Sequence, residues 1–441
     1  MASFLRHLRT RVGALARFRA PTRLRAPTRF RVPARPRPLA RLGALVGSDR
    51  ATVRQGLAAL AVASIVGALA GLTLGAITHT LEQLPGLLVL VPAAIGMRGN
   101  IFGALGSRLG TSIHAGTFGL ARRKDTVVGQ NVLASIALTL SISLALAFLA
   151  KAVSVVFSIP GTISVADFVV ISVVGGALSS VVVLFLTLAV AARAVSRNWD
   201  LDTVAATLVT AAGDLVTLPA LFLATYLLGL GWFSHALALA TGALSVAALA
   251  AAFRAGLPIL RRILRESLPV LLAAGTVDVL AGVTIEKRLE AFLAFPGLLV
   301  LVPPFLEDTG ALGGILSSRL SSKLHLGVIE PRNMPQRPAR RDFLLTFLYA
   351  VPVFVLVALS CDVAATVVGL ETPGPVRMMA VSLLGGLVAT SFAVGIAYYG
   401  AIAAFRLGLD PDNHGIPLIT SSMDLIGAFA LILAIVLVGV S

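Results

Sequence analysis

Apolar residues occur along this chain in runs of roughly 20, about the length that a helix needs to cross a hydrocarbon core of roughly 30 Å. Strands of a membrane barrel would instead be about ten residues long with alternating polarity, so the pattern excludes a barrel. The runs predict an all-α polytopic membrane protein with eleven transmembrane helices, at about 56–79, 85–106, 127–150, 168–192, 203–229, 234–253, 268–285, 296–317, 343–365, 378–404 and 414–440.

The same pattern occurs twice. Residues 85–116, which begin PGLLVLVP, return as residues 296–327 with sixteen positions identical. An Asp-x-Asp motif at 200–202 that precedes Thr210 and Asp214 returns as Asp410, Asp412, Thr420 and Asp424. A period near 210 residues indicates two copies of one membrane unit, as in transporters that are built from internal repeats.

Five predicted helices belong to each copy, and helix 234–253 joins them. A unit with five crossings ends on the opposite side of the membrane from its start. A second copy in the same orientation therefore needs one more crossing, which predicts two parallel repeats. The predicted organisation is an arm at 1–54, a first repeat at 55–230, a linking helix and basic loop at 231–266, and a second repeat at 267–441.

Composition agrees with a membrane protein, since 57% of residues are hydrophobic, 13% are charged and the mean hydropathy is +0.94. The single cysteine, Cys361, excludes an intrachain disulfide. Much of the net charge of +16 lies in residues 1–48, which carry twelve arginines and no acid. Frequent prolines favour a disordered or extended arm.

The favoured role of this arm is an electrostatic tether to anionic lipid headgroups beside the first span. An organellar transit peptide and a spurious upstream start are the alternatives. Nucleic acid is the least favoured partner, and none is expected.

The basic residues also predict the orientation, because cytoplasmic loops carry an excess of Lys and Arg. The arm and the loops near residues 122–124, 254–265 and 323–341 are basic, whereas the intervening loops are poor in Lys and Arg. The exceptions are three basic residues on the predicted outer side: Lys151, Lys287 and Arg288. We therefore expect a multi-pass cell-membrane protein, or an organelle-membrane protein if the arm is a transit peptide, with the amino terminus inside and the carboxyl terminus outside.

The candidate chemistry centres on two repeated acids. Asp214 and Asp424 are predicted near mid-membrane, in spans without Lys or Arg. A carboxylate there costs about 3 kcal/mol on insertion scales, so it indicates a functional site by default. The alternative is an acid that is paired with a cation or kept protonated. The chain has no Walker A motif and no His-Glu-x-x-His zinc helix.

Four further acids lie at the predicted cytoplasmic mouth of the same spans. Alone they are equally well explained as solvated turn and helix-capping residues. Together with the buried acids they form a funnel of negative charge, which indicates a cation path. The funnel consists of Asp200, Asp202, Asp410 and Asp412.

The segment GLDPDNHGIPLITSSMDLIG at 408–427, with the stretches at 85–116 and 296–327, resembles the membrane domain of the MgtE magnesium transporters and their duplicated solute-carrier relatives. The resemblance covers residues 55–440. It implies a five-helix unit that is paired as a dimer in MgtE and fused here into a pseudo-dimer, which allows a monomer. It also implies an ion path along the pseudo-twofold axis between the repeats.

The resemblance further implies that Asp424 after Thr420, and Asp214 after Thr210, match the family's pore aspartate. Its Gly-Asn signature survives as Gly99 and Asn100. In the second repeat this signature is replaced by Gly-Ala at 310–311, with Glu307 and Asp308 just before it. The departure makes the predicted lining asymmetric and adds Asp308 to the candidate site.

Mg²⁺ fits such a site because it dehydrates reluctantly and is usually held by one or two carboxylates while it keeps several waters. No soft ligands at a suitable spacing indicate Zn²⁺ or Cu⁺, while Co²⁺, Mn²⁺ and Ca²⁺ remain candidates. The sequence thus predicts a channel or transporter rather than an enzyme, with Mg²⁺ as the bound and transported ion. Its driving force would be the membrane potential.

A sodium-coupled Mg²⁺ exchanger is the alternative within this class. From another class, Gly213-Asp214 followed by Leu-Pro-Ala-Leu resembles elements of intramembrane aspartyl proteases, which use two aspartates. Their Tyr-Asp motif is missing, and two symmetry-related aspartates fit a conduit on an axis better. A structural scaffold is a further alternative, but it leaves acids at mid-membrane unexplained.

Overall fold

The computed structural model describes residues 50–114, 124–197, 201–408 and 415–440. Within these ranges the chain is helical and contains no strand. Residues 51–441 cluster as one compact unit. Residues 1–49, which include nearly all of the predicted basic arm, lie outside the described ranges.

Fourteen α-helices are found in the described part of the chain. Seven come before residue 230, with a π-helical stretch at Val170–Gly175 between α5 and α6: α1 Arg50–Ala76, α2 Thr78–Gln83, α3 Leu87–His114, α4 Val127–Val156, α5 Val165–Val169, α6 Gly176–Arg197 and α7 Leu201–Thr225. The others are α8 Trp232–Arg254, α9 Pro258–Glu286, α10 Leu289–Ala294, α11 Gly297–His325, α12 Arg337–Val368, α13 Pro375–Leu407 and α14 Ile416–Val438.

Ten of the described helical segments are long and apolar enough to cross a membrane. The one remaining predicted span, 203–229, corresponds to α7, in which Val209–Thr225 forms a shorter apolar helix. Each predicted span therefore coincides with a helix, and the expectation of an all-α polytopic membrane protein is confirmed.

Several helices extend beyond the predicted spans. The helices α3 and α11 end at His114 and His325 rather than near 106 and 317, and α9 begins at Pro258 rather than near 268. An apolar run matches the thickness of the hydrocarbon core, whereas a helix can continue into the interface on polar side chains. In α9 the added turns begin with proline at a favoured first position and include the Arg262–Glu266 ion pair at 2.8 Å.

The duplication is visible in the irregular parts of the chain as well as in its spans. The six-residue helices α2 and α10 occupy equivalent positions, 211 residues apart, just before α3 and α11. Pro92 in α3 and Pro303 in α11 are also equivalent. Both repeats thus enter their second long helix through the same kinked connection.

Each first helix lies across the second helix of the other repeat. A methyl group added at Gly71 of α1 would overlap the carbonyl oxygen of Val300 in α11, and one at Gly282 of α9 would overlap that of Val89 in α3. Both pairs are equivalent under the repeat. Such reciprocal contacts are those of an isologous interface, so the two halves are related by a pseudo-twofold axis and share one hydrophobic core.

The linking helix α8 lies at the edge of this unit. Only 11% of the 18 residues that form its most apolar stretch are buried. The helix packs mainly on α4 and α5. It therefore takes little part in the shared core. Its role in orienting the second repeat stays a prediction.

Candidate ion site

The repeated motif residues are positioned by two equivalent helix crossings. In the first repeat Gly99 of α3 packs on Thr210 of α7, with the Thr210 methyl 3.4 Å from the position of a Gly99 Cβ. In the second repeat Gly310 of α11 packs on Thr420 of α14 in the same way, at 3.7 Å. Each aspartate follows its threonine by four residues. It therefore projects from the same helix face one turn further on.

The two repeated aspartates both lie in the interior. Asp214 is 2% exposed, and its Oδ2 atom has no hydrogen-bond partner. Asp424 is partly buried and close enough to Asp214 for an electrostatic interaction. Their role as ligands of a metal ion stays a prediction.

A third carboxylate, which the sequence analysis missed, lies against Asp424. Asp278 of α9 is fully buried, and neither of its oxygens has a hydrogen-bond partner. Ser421 of α14 lies beside it without the geometry of a hydrogen bond. A methyl group at Gly96 of α3 would lie 2.9 Å from Asp278 Oδ2 and 3.7 Å from Asp424 Oδ2. Both carboxylates are therefore directed at one point beside α3.

A fourth carboxylate lies on α11. Glu307 of α11 interacts directly with Asp214 and also acts electrostatically on Asp424. A methyl group at Gly67 of α1 would lie 3.1 Å from Glu307 Oε2. Glu307 was noted in the sequence as a departure from the repeat but was not among the predicted site residues.

The predicted Asp308 is placed differently from its neighbour. It is fully buried, and its Oδ2 accepts a 2.6 Å hydrogen bond from Ser64 Oγ of α1, while Oδ1 has no partner. It acts electrostatically on Cys361 of α12. Asp308 is thus held at the contact of α11 with α1 and α12, next to the four-carboxylate group rather than within it.

The remaining predicted site residues are described only in part. Asn100 follows Gly99 on α3 and is half-buried. Asp202 lies in the first turn of α7, but its side chain lies outside the described residues, as do Asp200, Asp410 and Asp412. The predicted funnel at the cytoplasmic mouth therefore stays a prediction.

The four carboxylates do not form a closed cage. Among the described residues no group of three or more His, Cys, Asp or Glu side chains is arranged to hold a metal ion directly. A divalent ion that keeps its first water shell needs no such cage, because its waters donate hydrogen bonds to carboxylates further away.

The nearest cation on the same helix does not neutralise this group. Arg98 of α3 is 1% exposed and points toward α4 and α6, where its Nε donates to Ser179 Oγ at 3.0 Å. Among the described residues it forms no ion pair with a carboxylate, and its Nη1 has no partner. Arg98 is therefore not an ion-pair partner of the four carboxylates.

Comparison with known proteins identifies the family of the chain. The family model MgtE, described as a divalent cation transporter, matches residues 91–224 and 302–434, one match in each repeat. The chain belongs to the MgtE family. The two matched regions contain the Asp214 and Asp424 crossings. MgtE proteins are transporters, so the protein is not an enzyme, and the protease alternative is not supported.

The chain is also similar to members of solute carrier family 41. The chain is 26% identical to solute carrier family 41 member 3 of Rattus norvegicus over 410 residues, which covers 86% of each chain. It is 27% identical to the Mus musculus protein of the same name, covering 82% of this chain and 78% of that one. It is 25% identical to member 2 from Xenopus laevis, covering 81% and 67%. No solved structure matches the chain.

Proposed function

We propose that this MgtE-family protein moves Mg²⁺ across a membrane as a largely hydrated ion, along the pseudo-twofold axis between its repeats. The observation that carries the proposal is the interior position of Asp214 and Asp424, equivalent residues of the two repeats that are close enough to interact electrostatically. Two charged carboxylates at such a place repel each other, so one tends to take up a proton unless a cation lies between them. A divalent ion relieves that repulsion.

The orientation and the role of the arm belong to the same proposal. The amino terminus lies inside and the carboxyl terminus outside, because the basic residues cluster in the predicted cytoplasmic loops. The arginines of residues 1–48 hold that segment at anionic headgroups. Replacing them with glutamine should weaken membrane binding of the segment and leave transport unchanged.

The direct test is Mg²⁺ flux into proteoliposomes that contain the purified protein, under an imposed potential, with and without Na⁺. We expect flux that follows the potential and requires no Na⁺. Strict dependence on Na⁺ would instead show the sodium-coupled exchanger. Absence of Mg²⁺ flux in both conditions, with Co²⁺ or Mn²⁺ still transported, would disprove Mg²⁺ as the substrate.

A further inference from the structure

Two acids beside the repeated aspartates break the symmetry of the chain in a complementary way. Asp278 and Glu307 have no acidic counterpart, since the equivalent positions 211 residues earlier are Gly67 and Gly96. In the structure Asp278 faces Gly96, and Glu307 faces Gly67. Each crossing of a first helix on a second helix therefore holds one acid and one glycine. The acid lies on the first helix α9 at one crossing and on the second helix α11 at the other, and both acids belong to the second repeat.

The glycines are needed for this arrangement. A methyl group at Gly96 would crowd the Asp278 carboxylate at 2.9 Å, and one at Gly67 would approach Glu307 Oε2 at 3.1 Å and the Pro304 Cβ at 2.8 Å. Each crossing has space for one carboxylate and not two. The two halves thus present a second carboxylate beside the repeated aspartate, although the repeat itself does not encode it.

No basic side chain in the described part of the protein is paired with these groups. Asp278 is fully buried with both oxygens unpartnered, and Oδ2 of the buried Asp214 is also unpartnered. None of the described ion pairs includes any of the four carboxylates. Buried charges that lack both a counter-ion and hydrogen-bond donors are strongly unfavourable. A hydrated divalent cation supplies both, through its charge and its water hydrogens.

We infer that Asp278 and Glu307 are ion-binding residues of the transport path, each forming a carboxylate pair with one repeated aspartate. Asp278 acts with Asp424, and Glu307 acts with Asp214, as acceptors for the water shell of a divalent cation. The inference rests on the proposed function and deepens it, because it adds a second carboxylate beside each repeated aspartate. A doubled negative field favours divalent over monovalent ions.

The first test removes each charge and keeps the shape, with Asp278→Asn and Glu307→Gln. Mg²⁺ binding is read as the rise in thermal stability of the detergent-purified protein, and transport as flux into proteoliposomes. Each variant should weaken the apparent Mg²⁺ affinity about tenfold in both assays, from the loss of one charge near a divalent ion in a polar path. Glu290→Gln, which removes an exposed carboxylate on α10, is the control and should change neither.

The second test moves the charge across the crossing. Asp278→Gly combined with Gly96→Glu gives the crossing of α9 on α3 the same acid and glycine arrangement as the crossing of α1 on α11. The combined variant should recover Mg²⁺ binding and flux relative to Asp278→Gly alone. Its matched control, Asp278→Gly with Gly96→Gln, fills the same space without a charge and should not recover.

The outcomes separate the two proposals. If the wild-type protein transports Mg²⁺ but Asp278→Asn and Glu307→Gln bind and transport it normally, the inference is overturned and the proposed function stands. Equal recovery with Gly96→Gln and Gly96→Glu would also overturn it, since space rather than charge would then matter. Absence of Mg²⁺ flux and of Mg²⁺ stabilisation in the wild-type protein would overturn both.

Discussion

The two places where a first helix crosses a second helix share a backbone geometry but differ in their polar chemistry. In one, Gly71 of α1 lies on the Val300 carbonyl; in the other, Gly282 of α9 lies on the Val89 carbonyl. One turn away, the first crossing holds Glu307 opposite Gly67, and the second holds Asp278 opposite Gly96. After duplication, then, the close helix contact was retained in both halves, whereas the acid beside it came to lie on different helices.

The same contrast occurs at the ends of the second helices. The first turn of α3 is capped by a side chain, since Glu286 accepts hydrogen bonds from the backbone N–H groups of Gly86 at 2.7 Å and Leu88 at 3.1 Å. At the equivalent start of α11, Gly297 N–H donates to the backbone carbonyl of Glu371 at 2.9 Å. Both solutions satisfy free N–H groups at a buried helix start, which is the physical requirement.

The largest loss of stability is expected at the close backbone contact that both crossings share. Gly71→Ala and Gly282→Ala should each destabilise the protein by about 3 kcal/mol, because the added methyl must push two helix backbones apart. The midpoint of thermal unfolding in detergent measures this. Gly103→Ala on α3 is the control, since nothing lies within 4 Å of an added Cβ there. A small and equal effect at all three positions would contradict the close crossings.

An intermediate loss of stability is expected at the start of α3, compared with the start of α11. Glu286→Gln should lower the free energy of unfolding by about 2 kcal/mol, since one carboxylate oxygen becomes an amide NH₂ that faces a backbone donor. Glu371→Gln should leave stability unchanged, because that residue contributes its backbone carbonyl and its side chain is exposed. Equal losses in the two variants would show that the capping devices do not differ as described.

A smaller loss of stability is expected where one helix crossing holds a polar pair and the other crossing holds an apolar pair. Ser64 donates to Asp308, whereas the equivalent residues of the other half are Gly275 and Met97, which pack together. Ser64→Ala should cost about 1 kcal/mol by removing the donor to a buried carboxylate. Asp308→Met added to Ser64→Ala should restore stability, because it makes the contact apolar as in the other half. A further loss would count against this equivalence.

Much of the fold could be predicted because membrane insertion imposes one rule on the whole chain. Apolar runs and the 211-residue offset were enough to place each span, including α7 with its buried Asp214. Helix ends were not predictable in this way. The turns at Arg262 and Glu266 are polar yet helical, because their side chains pair with each other outside the hydrocarbon core.

The site was predictable only where the repeat pointed to it. Asp214 and Asp424 were found because both copies carry them, whereas Asp278 was missed because its counterpart is Gly67. An acid inside the apolar part of α9, without Lys or Arg one turn away, was the available signal. Choosing between Glu307 and Asp308 needed the structure, since adjacent helix residues point about 100° apart. Glu307 lies beside Asp214, and Asp308 is directed at Ser64.

The most direct test of the account compares the two repeated aspartates in one flux assay. Asp214→Asn and Asp424→Asn should reduce Mg²⁺ flux to a similar extent, because the pseudo-twofold axis makes their positions equivalent. The double variant should cost much less than the sum of the two single variants, as expected for groups that share one ion. Normal Mg²⁺ transport by Asp214→Asn, with loss in Asp424→Asn, would contradict the shared site and show that the second repeat alone carries the path.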